Sequence, residues 1–326
     1  MSMHINTAIE ARRKEAEAMY NLGTYYSDGI GVEKNEIDAA KWFRKSAERG
    51  NVDAQYRLGV AYATGEGVKQ DRVEAVKWYR KVADTGNMSA QYNLGYYYAI
   101  GLGGKQSHKL AAKWYLKAAE QGHSRAQCSL GLLYRKGNGV KKDPAEAVKW
   151  FLLSAEKGNP DARFYLGASY QWGAGVKKDV RTAVKWYRKS AGQGDHNAQY
   201  NLGSLYFSGE GVKRERAEAV RWFRRSAEQG DTDAQFNLAV CHARGLGVKK
   251  DLRTAYGWYH LSLNGTEDTG SELSGLLERS LTAMEKRAVR SRLKKWKPKD
   301  EQCPLPTGSS IRINERKSPK SPRLQA

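Results

Sequence analysis

A tryptophan recurs at a fixed interval along most of this 326-residue chain. The interval is 36 residues, without insertion or deletion, at Trp42, Trp78, Trp114, Trp150, Trp186, Trp222 and Trp258. A leucine keeps the same interval, at Leu22, Leu58, Leu94, Leu130, Leu166, Leu202 and Leu238. Periods of about 20 to 50 residues are the signature of repeat architectures, in which each copy is one supersecondary unit. The chain is therefore predicted to fold as seven stacked copies of one unit.

Each unit has the pattern of two helices, as the copy at residues 51–86 illustrates. Ala54, Leu58 and Tyr62 form an apolar stripe at helical spacing that ends at Gly65. A second stripe follows, and it comprises Ala75, Trp78, Tyr79, Val82 and Ala83. An aspartate just before the second helix is predicted to cap that helix in four copies, at Asp71, Asp143, Asp179 and Asp251. We expect the tryptophan and the aromatic residue after it to fill the space between stacked units.

The composition is that of a soluble, foldable protein with a large excess of positive charge. Hydrophobic residues make up 40% of the chain, and 56 Lys and Arg against 35 Asp and Glu give a net charge of +21. No apolar run approaches the roughly 18 to 20 residues that a membrane-spanning helix needs, and the first residues lack the apolar core of a secretory signal. The three cysteines, Cys128, Cys241 and Cys303, indicate neither a disulfide framework nor a four-cysteine zinc site. We therefore expect a cytoplasmic protein that does not insert in a membrane.

The repeated residues resemble the Sel1-like repeat, a relative of the tetratricopeptide repeat. The resemblance lies in the pattern Ala-x-x-x-Leu-Gly-x-x-Tyr-x-x-Gly-x-Gly-Val, followed by Ala-x-x-Trp-aromatic and then by Ala and a closing Gly. It covers residues 15–266, with local departures at Gly104, His242, Leu263 and Thr266. The resemblance implies an all-α fold, a right-handed superhelical solenoid of helix-turn-helix units. For most of the family it implies an adaptor that holds proteins together. Some bacterial relatives carry a disulfide in each repeat, and those cysteine pairs are absent here.

The chain is predicted to divide into four segments. Residues 1–14 extend the first helix, residues 267–297 form capping helices, and residues 298–326 form a disordered basic tail. The seven repeats between them are predicted at 15–50, 51–86, 87–122, 123–158, 159–194, 195–230 and 231–266. Thr282 and Glu285 fit a capping box at the start of the last helix. Residues 286–326 hold 13 Lys and Arg against 3 Asp and Glu, so 13 − 3 gives an excess of +10 there.

The sequence contains no recognisable catalytic constellation. The six histidines are scattered, and neither His-x-x-x-His nor His-Glu-x-x-His occurs. The glycine-rich stretch 101–106 lacks the first glycine and the Ser or Thr of a phosphate-binding loop. Cys128 and Cys241 lie in predicted helix interiors without an evident base. We predict no catalytic residues, no metal site and no cofactor.

Basic residues form a ladder along the second helices, because Lys or Arg directly precedes six of the repeat tryptophans. An acidic residue lies three positions before the basic one in four copies, at Asp38, Glu74, Glu146 and Glu218. Pairs at this spacing share one face of a helix, so we predict an outer face whose charges neutralise each other. The end of the chain is less balanced. A nucleic acid or another polyanion is the alternative partner there, through Lys286, Arg287, Arg290, Lys294, Lys295 and Lys297.

The residues that vary between copies indicate where a partner would bind. On the first helices the varying slots lie just before the leucine, three after it and six after it, on one face. If these helices line the inner curve of the superhelix, as the resemblance implies, this face is concave. Aromatic anchors and amides there suit a bound peptide. The predicted binding residues are Arg57, Asn93, Tyr97, Ile100, Leu133, Tyr165, Trp172 and Asn201. The alternative is that these side chains only fill gaps between units.

The sequence thus predicts a scaffold or adaptor that binds a partner protein or peptide in a concave groove. Polyanion binding through the basic C-terminal helix and tail is the second hypothesis, and an enzyme is the third. Neither the partner nor the pathway can be read from the residues.

Overall fold

The structure is a computed structural model that describes residues 2–263 and 271–299, with side chains from residue 9 onward. The described residues form sixteen α-helices and no strand. The helices are α1 (Ser2–Asp28), α2 (Glu36–Glu48), α3 (Val52–Thr64), α4 (Arg72–Asp84), α5 (Met88–Ile100), α6 (His108–Glu120), α7 (Ser124–Lys136), α8 (Pro144–Glu156), α9 (Pro160–Trp172), α10 (Val180–Ala191), α11 (His196–Ser208), α12 (Arg216–Glu228), α13 (Thr232–Arg244), α14 (Leu252–Ser262), α15 (Glu272–Ser280) and α16 (Ala283–Leu293).

The helices from α1 to α14 pair into seven helix-turn-helix repeats, each with an odd-numbered first helix and an even-numbered second helix. The chain forms two compact units, residues 1–154 and 155–326. In the first unit consecutive helices within the range α1 to α7 pack on each other, and in the second unit the same holds within the range α9 to α14. Packing in chain order is how repeat units extend a shared core through nearest neighbours. The predicted all-α solenoid is therefore confirmed.

Side-chain caps and left-handed glycines set the helix ends. The Asn51 side chain accepts a 2.8 Å hydrogen bond from the Ala54 N–H at the start of α3. Gly65 ends α3 with φ +87°, which glycine adopts without steric cost, and its N–H donates to the Ala61 carbonyl. The predicted aspartate caps are confirmed at four second helices, where Asp71, Asp143, Asp179 and Asp251 each accept a backbone N–H.

The glycine that follows six of the seven repeat leucines makes room for an aromatic ring of the same repeat. A Cβ on Gly167 would lie 2.7 Å from the Tyr187 ring, well inside van der Waals contact. The same close approach, between 2.6 and 3.0 Å, joins Gly23 to Phe43, Gly59 to Tyr79, Gly95 to Tyr115, Gly131 to Phe151 and Gly203 to Phe223. These rings are buried. Packing between the two helices of one repeat therefore explains why glycine follows the leucine.

The prediction that both aromatic residues fill the space between repeats needs correction for the tryptophan. The residue after it does reach the next repeat, since the Tyr79 ring lies 5.6 Å from that of Tyr97. The residue after the tryptophan is buried against the glycine of its own repeat, as Tyr187 shows. The tryptophan itself is half-buried in most repeats, and a basic side chain covers its outer face. The Lys45 ammonium lies 4.2 Å from the Trp42 ring centroid, and Lys189 lies 4.5 Å from Trp186. The favourable charge–quadrupole contact explains why the ring tolerates a surface position.

A side chain of each first helix ties neighbouring repeats together. Gln235 donates a 3.1 Å hydrogen bond to the Ala227 carbonyl near the end of the preceding helix. The glutamines at positions 55, 91, 127 and 199 make the equivalent bond, and Arg163 makes it in the fifth repeat. Carbonyls in the last turn of a helix have no partner within that helix. The inter-repeat bonds satisfy one such carbonyl at each junction.

Two further helices cover the end of the seventh repeat. Both α15 and α16 pack on α14, and Leu273 and Leu277 of α15 join a buried cluster with Tyr256 and Tyr259. The predicted capping box is confirmed, because Thr282 and Glu285 each accept the backbone N–H of the other. The Glu285 carboxylate also accepts a hydrogen bond from Arg253. The bond from the Thr282 N–H, and after it the bond from Arg253, hold the pKa of Glu285 at about 2. The helix ends at Leu293. Of the predicted tail, residues 300–326 lie outside the described residues.

No helix in residues 2–263 or 271–299 combines the length and the apolar character needed to span a bilayer.

Candidate partner-binding surface

Of the predicted binding residues in residues 1–154, three are half-exposed, and one of these, Asn93, is bonded within the fold. Arg57 on α3 and Ile100 at the end of α5 are half-exposed. Tyr97 and Leu133, by contrast, are only 7% and 5% exposed and belong to the buried core. Side chains buried to this degree offer no surface to a partner. Including Tyr97 and Leu133 in the binding face was wrong, because their slot faces the preceding repeat.

The predicted asparagines also have a structural role. The Asn93 amide donates a 3.2 Å hydrogen bond to the Tyr56 hydroxyl of the preceding repeat. Asn201 is fully buried, and its amide donates to the Tyr187 hydroxyl at 3.3 Å. A buried polar group needs such a partner, since leaving it unbonded costs about 1–3 kcal/mol. The role predicted for these amides, to bind a peptide backbone, is therefore replaced by bonds within the fold.

In the second unit both predicted aromatic residues reach the surface. Trp172 is the last residue of α9, directly before the left-handed Gly173, and it is 53% exposed. Tyr165 lies two turns earlier on the same face and is half-buried, with its ring 5.2 Å from that of Phe164. The predicted binding residues that remain candidates are therefore Arg57 and Ile100 in residues 1–154, and Tyr165 and Trp172 in the second unit.

Two of the six basic residues predicted to contact a polyanion are engaged within the fold. The Lys286 ammonium lies 2.6 Å from a carboxylate oxygen of Glu278. Arg290 donates a 2.8 Å hydrogen bond to the Tyr256 hydroxyl and lies over that ring. Both contacts fasten α16 to the elements before it. The other four, Arg287, Lys294, Lys295 and Lys297, are exposed.

The predicted neutralisation of the basic ladder is observed on the second helices. Lys41 pairs with Asp38 at 2.8 Å, and Lys149 pairs with Glu146 at 2.8 Å. Two more pairs at this spacing join Lys77 to Glu74 and Arg221 to Glu218. Exposed pairs of this kind contribute little stability, but they cancel the field that a polyanion would follow. The pairing lowers the net charge of the ladder at these four positions.

Most buried ionisable side chains in the described ranges are tyrosines, and the others are Cys128, Cys241, Asp231 and His242. No group of three His, Cys, Asp or Glu within the described ranges is close enough to hold a metal ion. Burial raises the pKa of the Cys241 thiol to about 12, so it stays protonated at neutral pH. His242 is buried, and its pKa is lowered first by that burial and then by the nearby Arg224.

The repeats match a family model that is built from known proteins. The family model described as the Sel1 repeat matches seven consecutive segments, which are residues 16–51, 52–87, 89–123, 124–159, 160–195, 196–231 and 232–265. No curated protein matches the chain.

Two solved structures are similar over most of the repeats. The first is c5321, a protective antigen present in uropathogenic Escherichia coli strains, described as displaying an SLR fold; identity is 34% and the TM-score is 0.75. That match covers 87% of this chain and 62% of c5321, so the chain spans less than two thirds of that protein. The second is a Sel1 repeat protein from Oxalobacter formigenes, with 38% identity, a TM-score of 0.60, and coverage of 66% of this chain and 86% of the other.

Proposed function

The chain belongs to the Sel1 repeat family, and from that premise we propose that it is a non-enzymatic adaptor whose first helices bind a segment of a partner protein. A solenoid presents extended surface in proportion to its number of repeats. The groups that carry out catalysis converge in a cleft, and the buried ionisable groups described above are dispersed through the core instead. We further propose a cytoplasmic location, which suits buried cysteine side chains such as Cys241.

The exposure of Trp172 is the observation that carries this proposal. In the six other repeats its slot holds Asp28, Thr64, Ile100, Lys136, Ser208 and Arg244, so the fold does not require a tryptophan there. A large aromatic side chain left in water forgoes a substantial hydrophobic gain. Tryptophan, tyrosine and arginine dominate the residues whose truncation weakens protein interfaces most. Trp172 and Tyr165 are therefore proposed as the aromatic anchors for an extended or helical peptide.

The proposal is tested by affinity capture from the cells that produce the protein, with quantitative comparison of variants. Trp172→Ser introduces the residue that the sixth repeat has at this slot, Ser208, so folding and the thermal midpoint are expected to remain unchanged. Recovery of a specific partner is expected to fall at least tenfold, a loss of about 1.4 kcal/mol or more. Met284→Ala removes an exposed hydrophobic side chain from α16 and serves as the control. Equal recovery by wild type and Trp172→Ser would contradict the proposal.

The salt dependence of the captured interaction separates the adaptor from the polyanion hypothesis. Binding through aromatic anchors is expected to change little with salt, whereas polyanion affinity falls linearly with log[salt]. A steep fall that disappears when Lys294, Lys295 and Lys297 are replaced by Gln would support a polyanion partner at the end of α16.

A further inference from the structure

The loops between the two helices of a repeat form a basic edge in the second unit. We call residues 172–181, 208–217 and 244–253 the loop edge, since each range contains the end of a first helix, a loop and the start of a second helix. The loop edge has 10 Lys and Arg against 4 Asp and Glu, so 10 − 4 gives an excess of +6. A local excess of one sign attracts partners of the opposite charge.

Contacts between repeats join the three loops into one surface. The Lys178 ammonium lies 3.1 Å from a carboxylate oxygen of Glu210, which links the first loop to the second. A Cβ on Gly211 would lie 3.0 Å from the carbonyl carbon of Val180, so the second loop rests on the start of α10. Gly247 of the third loop makes the same approach to the start of α12. The loop edge is therefore continuous across three repeats.

The lysines at one slot of the loop edge keep their full charge. Lys177, Lys213 and Lys249 follow each other at the 36-residue interval, and all three are exposed. None of them pairs with a carboxylate in the part of the chain that the structure describes. The ladder on the second helices differs, because Lys149 and Arg221 each pair with a glutamate of their own helix. Positive charge on the loop edge thus remains available to a partner.

A cavity of about 590 Å³ opens beside the first of these lysines, and its lining residues are Tyr170, Val176, Lys177, Lys178 and Asp179. Two ammonium groups and a phenol hydroxyl are hydrogen-bond donors to a ligand there. The Asp179 carboxylate is already engaged, because its oxygens accept the backbone N–H and the hydroxyl of Thr182. The donor set suits a carboxylate, since hydrogen bonds between charged groups are the strong ones.

The Tyr170 hydroxyl lacks the partner that its equivalents have. Tyr62, Tyr98 and Tyr206 occupy the same slot, and each hydroxyl accepts a hydrogen bond from the arginine 18 positions earlier. Leu152 stands 18 positions before Tyr170, so the sequence supplies no arginine for this hydroxyl. The hydroxyl is therefore able to bind a group that enters the cavity.

We propose that the partner segment is acidic and that its carboxylates contact the lysines of the loop edge, with one carboxylate in the cavity beside Tyr170. This inference rests on the proposed function, because Trp172 belongs both to the first-helix face and to the loop edge. The Lys178 Cβ lies 3.4 Å from the Cβ position of Gly173, the residue directly after Trp172. The loop thus folds back onto the helix end that carries the tryptophan, so one segment can reach both.

An acidic protein segment suits the loop edge better than a nucleic acid does. Four carboxylates lie among its basic residues, at Asp179, Glu210, Glu215 and Asp251. A nucleic acid carries a negative charge at every phosphate, so its backbone would also pass these carboxylates. A protein segment can place its own carboxylates opposite the lysines and neutral residues opposite the acidic positions.

The test uses a labelled peptide of about 16 residues, glutamate with phenylalanine at every fourth position, which is long enough when extended to pass several repeats. Its affinity for the full chain is measured by fluorescence anisotropy in about 0.15 M salt, where charges more than about 8 Å apart are screened. An analogue with glutamine in place of glutamate is the charge control. Wild type is expected to bind the glutamate peptide at least tenfold more tightly than the glutamine analogue.

Two triple variants locate the binding. Lys177→Gln, Lys213→Gln, Lys249→Gln removes the unpaired lysines of the loop edge, and the glutamate peptide should bind it at least tenfold more weakly than wild type. Lys149→Gln, Lys185→Gln, Arg221→Gln removes the same number of charges from one repeated slot of the second helices, and should bind within about twofold of wild type. All six side chains are exposed, so the thermal midpoint should be preserved in both variants.

Three results would overturn the inference. The first is equal binding of both peptides by wild type, and the second is an equal loss in the two triple variants, since only net charge would then count. The third is tighter binding of a single-stranded oligonucleotide of the same length that is lost in the loop-edge variant, because the loop edge would then bind nucleic acid.

Trp172→Ser separates this inference from the proposed function. Weaker binding of the glutamate peptide by both Trp172→Ser and the loop-edge variant would support both. A loss only in the loop-edge variant would support the acidic partner and contradict Trp172 as its anchor. A loss only in Trp172→Ser would leave the proposed function standing and overturn the inference.

Discussion

At the scale of single residues, the glycine that follows the repeat leucine shows how one missing side chain permits close helix packing. The seventh repeat has a methyl group at this position, because Ala239 replaces the glycine. There the Phe236 and Tyr259 ring centroids are 6.4 Å apart, compared with 5.9 Å for Phe164 and Tyr187 in the fifth repeat. Of the six ring pairs observed at these slots, the pair in the seventh repeat has the widest spacing.

We predict that Gly167→Ala destabilises the protein by about 1–3 kcal/mol, because the new methyl group would overlap the Tyr187 ring in a packed core. The midpoint of urea unfolding followed by circular dichroism measures the effect. Gly104→Ala is the matched control, since nothing lies within 4 Å of its Cβ position. That change should be neutral or should stabilise by about 0.5 kcal/mol through the unfolded chain. Similar changes in the midpoint for both variants would show that overlap with the Tyr187 ring carries no cost.

His242 is predicted to make stability depend on pH. It replaces the tyrosine of the other repeats, and burial together with Arg224 lowers its pKa below the usual 6.5. The unfolded chain therefore binds a proton more readily than the native state, so stability is complete above pH 6.5 and falls as the pH drops through that value. Asp251 opposes this shift only in part. His242→Tyr should flatten the dependence of the thermal midpoint on pH between about 5 and 7. Parallel curves for wild type and variant would exclude His242 as the cause.

The residues that sequence reasoning misplaced share one feature, which is a partner in a neighbouring helix. Variation between repeats was interpreted as a sign of partner binding, but at Asn93 it reflects the presence of Tyr56, 37 positions earlier. Where the preceding repeat has Phe164 at that slot, Asn201 bonds to Tyr187 instead. The available signal was the joint occurrence of tyrosine and asparagine at this spacing. Trp172 was identified correctly as exposed because no residue type at its slot recurs.

At the scale of elements, the loop between the two helices of a repeat contains two glycines with different structural roles. The first, such as Gly245, ends the helix in the left-handed conformation. The second, Gly247, also has a positive φ, but its Cβ position falls on the Arg216 backbone at the start of the preceding repeat's second helix. The equivalent Gly31 in the first repeat has a φ of +71° and nothing within 4 Å. The second glycine therefore links the loop of one repeat to the helix of the repeat before it.

This difference separates backbone strain from packing between repeats. Gly31→Ala is expected to cost only the left-handed conformation, about 1–2 kcal/mol. Gly247→Ala should cost several kcal/mol more, since the methyl group would displace backbone that a side-chain rotation cannot move. Thermal unfolding of the two variants measures the comparison. Equal losses would mean that α12 yields to the methyl group without cost.

Helix positions were largely predictable from the sequence because their signals are local. The stripe that begins at Ala54 lies within α3, the stop at Gly65 directly follows it, and Asp71 directly precedes α4. The last helix illustrates the limit. Amphipathic spacing indicated a helix to about Lys297, but α16 ends at Leu293 and a turn follows. Periodicity does not reveal where packing against the preceding elements stops supporting a helix.

At the scale of the whole molecule, the two C-terminal helices are predicted to protect the end of the seventh repeat. Leu273, Leu277 and Leu281 bury area against Tyr256 and Tyr259, and each leucine contributes about 1.5–3 kcal/mol. A chain that ends after residue 263 should therefore unfold at lower temperature and bind the dye 1-anilinonaphthalene-8-sulfonate. A chain that ends after residue 299 keeps these contacts and is the control. Unchanged stability of the shorter chain would show that the seventh repeat needs no cover.

The fold class was predictable because the 36-residue period gives seven independent observations of the same unit. Which of the predicted binding residues are exposed was predictable only in part, because exposure depends on contacts between repeats that one repeat does not contain. Tyr97 and Ile100 differ by three positions on α5, yet one is buried and the other half-exposed.

The bond from Gln199 to the Ala191 carbonyl recurs, 36 residues on, from Gln235 to Ala227. Each junction between repeats uses the same positions of the 36-residue unit. A gene rearrangement that duplicates or deletes one 36-residue block therefore leaves each flanking side chain facing the same type of partner as before. Evolution can thus change the length of such a protein in whole steps, without passing through a misfolded ancestor. Selection would then act on what the added surface touches.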